Sequence, residues 1–430
     1  MTTTAGTESP VSVLTTGLDT RVAALRALYE DLHAHPELSF QEVRTAGVIA
    51  AHLRTQGWTV SEGVGGTGVV GVLDNGAGPV VLLRADMDGL PVREETGLPY
   101  ASVRTGIDAE GTVVPVMHAC GHDMHVTCLL GATAQLAAHR EGWHGTVVAV
   151  FQPAEEVGGA PAMIADGFLE RFPRAQVCLG QHVQPAPVGF VGTRPGAVMV
   201  AADNLRILLH GRGGHGSAPE LTVDPIVLAA AVVLRLQTVV SREVGASERA
   251  VVTVGSIHAG TKENIIPDTA ELRITIRTET PAVRARVLAA VERIVRAESA
   301  ASGAVEEPEI TVINTFPVTV NDPDATATVL GALTETFGDQ RVFTLPQPFN
   351  GSEDFSTFGT ALEVPSVFWH FGGADPAAFA GLDIADLLAD GLPDTIPVNH
   401  SPRYAPVPEP TIQIGVTALL AAASPWLCGA

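Results

Sequence analysis

Four short apolar runs in this chain each stop abruptly at residues able to do chemistry. Val80–Leu83 runs into Arg-Ala-Asp-Met-Asp, and Val147–Phe151 into Gln-Pro-Ala-Glu-Glu. Val177–Leu179 ends in Gly-Gln-His, and Ser366–Trp369 in His-Phe-Gly-Gly. A continuous apolar run of this length reads as a strand buried on both faces. Helical patterns lie between and before these strands: Leu18, Val22, Leu25, Leu28 and Leu32 recur at helical spacing, and a second helix is expected over about 42–56. The pattern predicts an α/β fold, a mixed sheet with helices on both faces. Ligands of such sheets gather at the carboxyl ends of the strands, where the Asp, Glu, Gln and His residues fall here.

The texture changes between residues 198 and 314. Strand-like segments at 204–210, 250–257, 270–278 and 309–314 alternate with helical ones at 223–240 and 281–297. The order βαββαβ is the split, ferredoxin-like unit. It predicts a second domain, residues 198–314, inserted into a first one made of 1–197 and 315–430. A length of 430 residues suits two domains.

Composition narrows the function classes. A formal charge of −22 argues against a nucleic-acid partner, which requires clustered Lys and Arg. Lys262 is the sole lysine, so Schiff-base chemistry would hang on one residue. No uninterrupted apolar run reaches the ~18 residues of a membrane span; the longest, Pro225–Leu234, has the length of a core helix. The opening MTTTAGTESP has no basic segment of a secretory leader, and a cytoplasmic address is expected. Cys120, Cys128, Cys178 and Cys428 share no disulfide-like spacing and are expected as thiols.

One motif misleads. Gly63, Gly65 and Gly68 fit Gly-x-Gly-x-x-Gly, with Asp88 twenty residues on, but Val-Val-Gly-Val-Leu follows where a dinucleotide site needs a helix. A hairpin is expected instead. In His118-Ala-Cys-Gly-His-Asp-Met-His125, a thiol and an imidazole two apart across a glycine can both reach one ion. A buried cysteine beside histidines that cap a helix near Asp123 explains this segment equally well. A Cys–His nucleophilic pair is a third option, without a recognisable Asn or Asp partner. Glu155 and Glu156 are adjacent carboxylates that point different ways, or else part of an acidic loop. His182 and His400 taken singly are ordinary satisfied histidines. Together with Cys120, His122 and Glu156 they make a mixed S/N/O set suited to borderline-soft divalent ions.

These motifs, in this order, resemble the amidohydrolase branch of metallopeptidase family twenty: aminoacylases, hippurate hydrolases and indole-acetyl-amino-acid hydrolases. The resemblance runs from His33-Ala-His-Pro-Glu-Leu-Ser-Phe to the end. It is carried by Arg84-Ala-Asp-Met-Asp-Gly-Leu-Pro91, His118-Ala-Cys-Gly-His-Asp, Gln152-Pro-Ala-Glu-Glu, Gly213-Gly-His-Gly-Ser-Ala-Pro219, Asn264-Ile-Ile-Pro, Gly351-Ser-Glu-Asp-Phe355 and Asn399-His-Ser-Pro402. Three positions depart from the family pattern: Glu220 stands where many relatives carry His, Gly89 where Ala is usual, and Tyr404 where Phe is usual.

The resemblance implies a centre of two divalent ions per subunit, zinc or manganese or else cobalt, held by Cys120, His122, Glu156, His182 and His400. Glu155 matches the general base, and Asp86 and Asp88 are assigned to the shell behind the ligands. His215 matches an insert-domain histidine that reaches a neighbouring active site in homodimers, with the insert serving as lid and dimerisation domain. Asn264 and Arg277 match contacts to the carboxylate end of the substrate, and both are expected to grip that same end. The implied reaction is hydrolysis of N-acyl amino acids, small-molecule substrates, by a metal-activated water, with no nucleic-acid or membrane partner. The alternatives are a dipeptidase or carboxypeptidase-like hydrolase with the same centre, and a catalytically silent binding homologue.

Overall fold

A computed structural model describes residues 9–382 and 391–429. The chain divides into two compact units: the described residues of Met1–Val198, Val320–Gln347 and Asp354–Ala430 form one, and Met199–Thr319 with Pro348–Glu353 the other.

The first unit is built on an eight-stranded mixed sheet. Its centre is four parallel strands in the order Gly145–Gln152, Val80–Asp86, Val177–Pro187, Ser366–Ala374. These are the four apolar runs of the sequence, and their interiors are almost wholly buried. On one side the antiparallel pair Thr59–Val64 and Gly68–Asn75 extends the sheet. That pair is the glycine-rich segment, and its turn needs glycine: Gly65 sits at φ 66°, where a Cβ would meet the Met163 backbone at 2.6 Å. The segment is therefore a hairpin and not a phosphate loop.

Helices cover both faces. Leu18–His33, Val43–Thr55, His122–Ala138, Pro323–Phe337 and Pro408–Leu427 share one apolar cluster with Val81, Leu83, Val147, Ala149, Leu179 and Val367. On the opposite face Phe355 lies against Gly180 and leads into the Ser356–Leu362 helix. The apolar burial on each face drives this layering at roughly 25 cal/mol per Å². The sheet is thereby fixed as a rigid platform, and the carboxyl ends of its parallel strands open at one edge.

The second unit has a four-stranded antiparallel sheet in the order Ala250–Ala259, Thr269–Thr278, Ala201–His210, Glu309–Phe316. Leu272, Ile274 and Ile276 alternate with Glu271, Arg273, Thr275 and Arg277, and the apolar set is buried under two helices. Both helices start at proline behind a polar cap. Asp224 accepts from the Ile226 and Val227 amides, and Thr280 from Val283. The unit runs on to Thr319 and takes back Pro348–Glu353, because polar side chains tether that loop. Arg249 donates to Asn350, Arg277 to Ser352, and Thr319 to the Glu353 carbonyl.

Among the described residues two helices, Pro225–Glu243 and Pro408–Leu427, are long and apolar enough to cross a membrane by length and composition. Each instead lays an apolar face into its own unit: Leu228, Val232, Leu236 and Val239 in one, and Ile412, Val416, Leu419 and Ala423 in the other.

Candidate metal centre

The site begins with a turn that only glycine permits. Cys120 precedes the His122–Ala138 helix, and Gly121 between them adopts φ 84°. A Cβ there would lie 2.5 Å from the Val183 side chain. The close approach sets Cys120 and His122 side by side against the end of the Val177–Pro187 strand. That strand contributes His182, whose Nε2 lies 3.4 Å from Cys120 Sγ.

His400 arrives from the far end of the chain. Its amide donates to the Ala119 carbonyl at 2.7 Å, and the neighbouring Asn399 side chain donates to the Cys120 carbonyl at 3.2 Å. Docked in this way, His400 Nε2 lies 3.3 Å from Cys120 Sγ and 3.2 Å from Glu156 Oε1.

Glu155 and Glu156 ride on a single 3₁₀ turn past the end of the Gly145–Gln152 strand. Three successive amides of that turn are held by two buried carboxylates. Ala154 N–H donates to Glu42 Oε1 at 2.8 Å, Glu155 N–H to Asp88 Oδ1 at 3.1 Å, and Glu156 N–H to Asp88 Oδ2 at 3.2 Å. Ala154 itself sits at φ 54°, a left-handed conformation that a residue with a Cβ adopts at a cost. Glu42 offsets that cost and is anchored in turn by the Thr67 hydroxyl.

Asp86 and Asp88, at and just past the end of the Val80–Asp86 strand, are buried behind this cluster. Asp88 also meets His122 Nδ1 at 3.1 Å and accepts from Ser39 at 2.7 Å. Asp86 meets His125 Nδ1 at 2.5 Å and accepts from Arg84 at 2.7 Å. Burial alone would raise the pKa of Asp86, but His122, His125 and Arg84 hold it well below the usual carboxylate range. Burial and the neighbouring His125 push His182 far below the ordinary histidine range, leaving it neutral. His400 goes the other way, raised to about 11 by its hydrogen bonds to Cys120 and Glu156.

The donors fit a divalent cation. Cys120, His122 and His182 have ligand atoms within 4.8 Å of one another; so do Cys120, Glu156 and His400, and so do His122, Glu155 and Glu156. Bonds of about 2.0–2.3 Å in a tetrahedral shell would separate neighbouring donors by roughly 3.3–3.8 Å. The separations here run from 3.2 Å to 4.0 Å. Among the described residues His122 Nε2 is buried with no hydrogen-bond partner, an arrangement that costs free energy unless something else meets it. Thiolate, imidazole and carboxylate together suit zinc, manganese or cobalt.

The second unit places the remaining sequence-derived residues. His215 is exposed on the short strand Gly214–His215, which pairs with Ile265–Ile266. Its Nδ1 receives the Ser217 hydroxyl at 2.7 Å, and the adjacent Gly216 amide donates to the Asn264 carbonyl at 2.9 Å. His215 and Asn264 therefore form one local ribbon. Arg277 is elsewhere. It lies eight steps beyond Thr269, roughly 27 Å along the strand at ~3.4 Å per residue, while Asn264 lies before the strand begins. Within one subunit Asn264 and Arg277 cannot grip the same end of a substrate, which corrects the sequence-based expectation. An alternating pattern reports which face a residue takes, not which end of the sheet its loop neighbours occupy.

Sequence reasoning also missed Glu42, His125 and Asn399 as parts of the site. Glu42 falls just past the His33–Phe40 motif, His125 ends one quoted motif and Asn399 begins another. Each, however, holds a backbone group whose identity no spacing reveals.

Comparison with known proteins shows the family. Residues 82–383 match the family model described as peptidase family M20/M25/M40. The chain belongs to that family, in its amidohydrolase branch. It is 37% identical over 347 residues to a thermostable carboxypeptidase 1 of Saccharolobus solfataricus, covering 79% of this chain and 84% of the relative. It is 39% identical over 331 residues to a hippurate hydrolase of Campylobacter jejuni, covering 76% and 82%. Its fold matches the crystal structure of the YXEP protein of Bacillus subtilis, a dinuclear metal binding peptidase from the M20 family, with a TM-score of 0.71, 28% identity, and coverage of 94% and 98%. By family the chain is a metal-dependent amidohydrolase.

Proposed function

We propose that this protein hydrolyses the amide bond of N-acyl amino acids, releasing a free amino acid and a carboxylic acid. The observation that carries the reading is the single turn presenting Glu155 and Glu156 to the Cys120–His122–His182–His400 cluster, its amides pinned by Asp88 and Glu42. In this reading Cys120, His122, Glu156, His182 and His400 hold two divalent ions, zinc or manganese. Such ions, when bound, lower the pKa of water and polarise a carbonyl oxygen.

The chain's own residues do the rest. The Glu155 carboxylate takes a proton from the attacking water and returns it to the departing amine nitrogen. Its backbone is locked, so this transfer needs no reorganisation of the turn. Asp88 and Asp86 hold His122 and His125 in place through the cycle. The Arg277 guanidinium recognises the free α-carboxylate. It is half-buried, and burial lowers its pKa. It donates to the Ser352 hydroxyl, and no carboxylate pairs with it among the described residues. A desolvated guanidinium without a carboxylate is suited to bind one in bidentate fashion.

His215 and Asn264 are assigned to the site of a second copy of the chain, in a homodimer, where His215 would stabilise the developing oxyanion. Their place on one exposed ribbon, away from Arg277, supports that assignment. The likeness to a carboxypeptidase favours a second reading, cleavage of small peptides by the same centre, and substrate comparison separates the two.

Glu155→Gln is expected to retain metal and lose on the order of 10²-fold or more in kcat, whereas Glu156→Gln loses metal occupancy as well. Metal analysis beside turnover checks this, and reversed occupancies would swap the two roles. Wild-type enzyme is expected to turn over N-acetyl and N-benzoyl amino acids well and their primary amides poorly, a preference that Arg277→Ala largely abolishes. Equal turnover of acid and amide would indicate a general amidase, and preference for unacylated dipeptides the peptidase. Mixing inactive His215→Ala with inactive Glu155→Gln under subunit exchange is expected to restore some activity. No recovery in a verified heterodimer would exclude action of His215 across subunits.

A further inference from the structure

Val183, the residue after His182, is held at both of its backbone polar atoms. His182 Nδ1 lies 2.7 Å from the Val183 carbonyl oxygen. The same oxygen lies 3.3 Å from Asn399 Nδ2 and 3.3 Å from the Tyr404 hydroxyl. The Val183 N–H donates to His125 Nε2 at 2.8 Å. The Val183 side chain is wedged too: a Cβ on Gly121 or on Gly373 would lie 2.5 Å from one of its methyl groups.

These partners settle both imidazole tautomers. An amide N–H can only donate, so His125 Nε2 is the lone-pair nitrogen and Nδ1 carries the proton, which it donates to Asp86 Oδ1. A carbonyl can only accept, so His182 Nδ1 carries the proton, and its Nε2 turns a lone pair toward Cys120 and the centre of the cluster. The two rings lie 4.5 Å apart, centroid to centroid, at 68°. His125 thus joins Asp86, itself held by Arg84, to the backbone that orients His182.

We propose that His125 is a positioning residue: with Asp86 it fixes the Val183 backbone, and through that backbone it sets the ring orientation and tautomer of His182. The proposal rests on the reading of His182 as a metal ligand. Its counterpart is a histidine that merely fills space under the site. A ligand whose tautomer and ring angle are preset meets the ion with its lone pair already aimed, and loss of such a support weakens metal binding by ~10–100-fold.

The test uses the full-length, metal-stripped protein with Zn²⁺ as probe. Two-bond ¹H–¹⁵N spectra of histidine-labelled wild type are expected to show His125 and His182 both protonated at Nδ1. The opposite tautomer at either ring overturns the proposal without recourse to any variant. His125→Phe keeps a ring but neither hydrogen bond. It is expected to weaken Zn²⁺ binding by ~10–100-fold in chelator competition and to mix the His182 tautomers. His125→Gln, whose amide supplies a donor and an acceptor, is expected to recover most of that loss. Binding by the Phe variant within about twofold of wild type, or a Gln variant no better than Phe, would overturn the proposal. His182→Phe separates the two levels. If it leaves Zn²⁺ stoichiometry intact, the ligand reading fails; if it removes an ion while His125→Phe does not, only the positioning role fails.

Discussion

The carboxylate of Asp88 is where the site's geometry is decided. It lies buried just past a central strand, and it holds the Glu155 and Glu156 amides, the Ser39 hydroxyl and His122 Nδ1 at once. A buried charge of this kind is costly unless every lone pair is met. Here the partners hold its pKa below the ordinary value although burial works the other way. One group therefore sets the spacing between the two glutamates and the first imidazole. Without it, the left-handed step at Ala154 would have only Glu42 to hold it. The sheet beneath supplies rigidity, and Asp88 converts rigidity into the placement of side chains.

The same economy recurs on the other side of the cluster. The Cys120–Gly121–His122 turn, the Val183 backbone and the Asn399–His400 segment are tied by hydrogen bonds to backbone atoms and by two glycines that leave room for one valine. Residues 280 positions apart meet at Cys120 Sγ through such ties. In the reading proposed here, the centre is preorganised by groups that never touch substrate, as rigid-element sites in general must be.

How much of this was legible in the sequence follows from what each kind of signal encodes. Apolar runs ending in Arg-Ala-Asp, Gln-Pro-Ala-Glu-Glu and Gly-Gln-His declared strands buried on both faces and the edge where chemistry gathers, because such burial leaves a compositional trace. The hairpin at Gly63–Gly68 was legible from the strand that follows it. The alternation from Leu272 to Arg277 encodes which side chains of that strand are buried. Glu42, His125 and Asn399 were not legible as parts of the site, since each acts on a backbone atom distant in the chain and backbone atoms look alike in every sequence. The separation of Asn264 from Arg277 was hidden for a related reason: thirteen residues can be one loop or the whole length of a strand, and only the pairing of Thr269 with His210 and of Arg277 with Ala202 decides it.

The central claim is that strand-end residues and the distant His400 together enclose two divalent ions. An anomalous difference map from crystals grown with Zn²⁺ or Mn²⁺ tests it most directly. Two peaks are expected, with Cys120, His122, Glu156, His182 and His400 at bonding distances of about 2.0–2.3 Å, and with Glu155 retaining an uncoordinated carboxylate oxygen. A single peak, or peaks that leave Cys120 and His400 without an ion, would contradict the account.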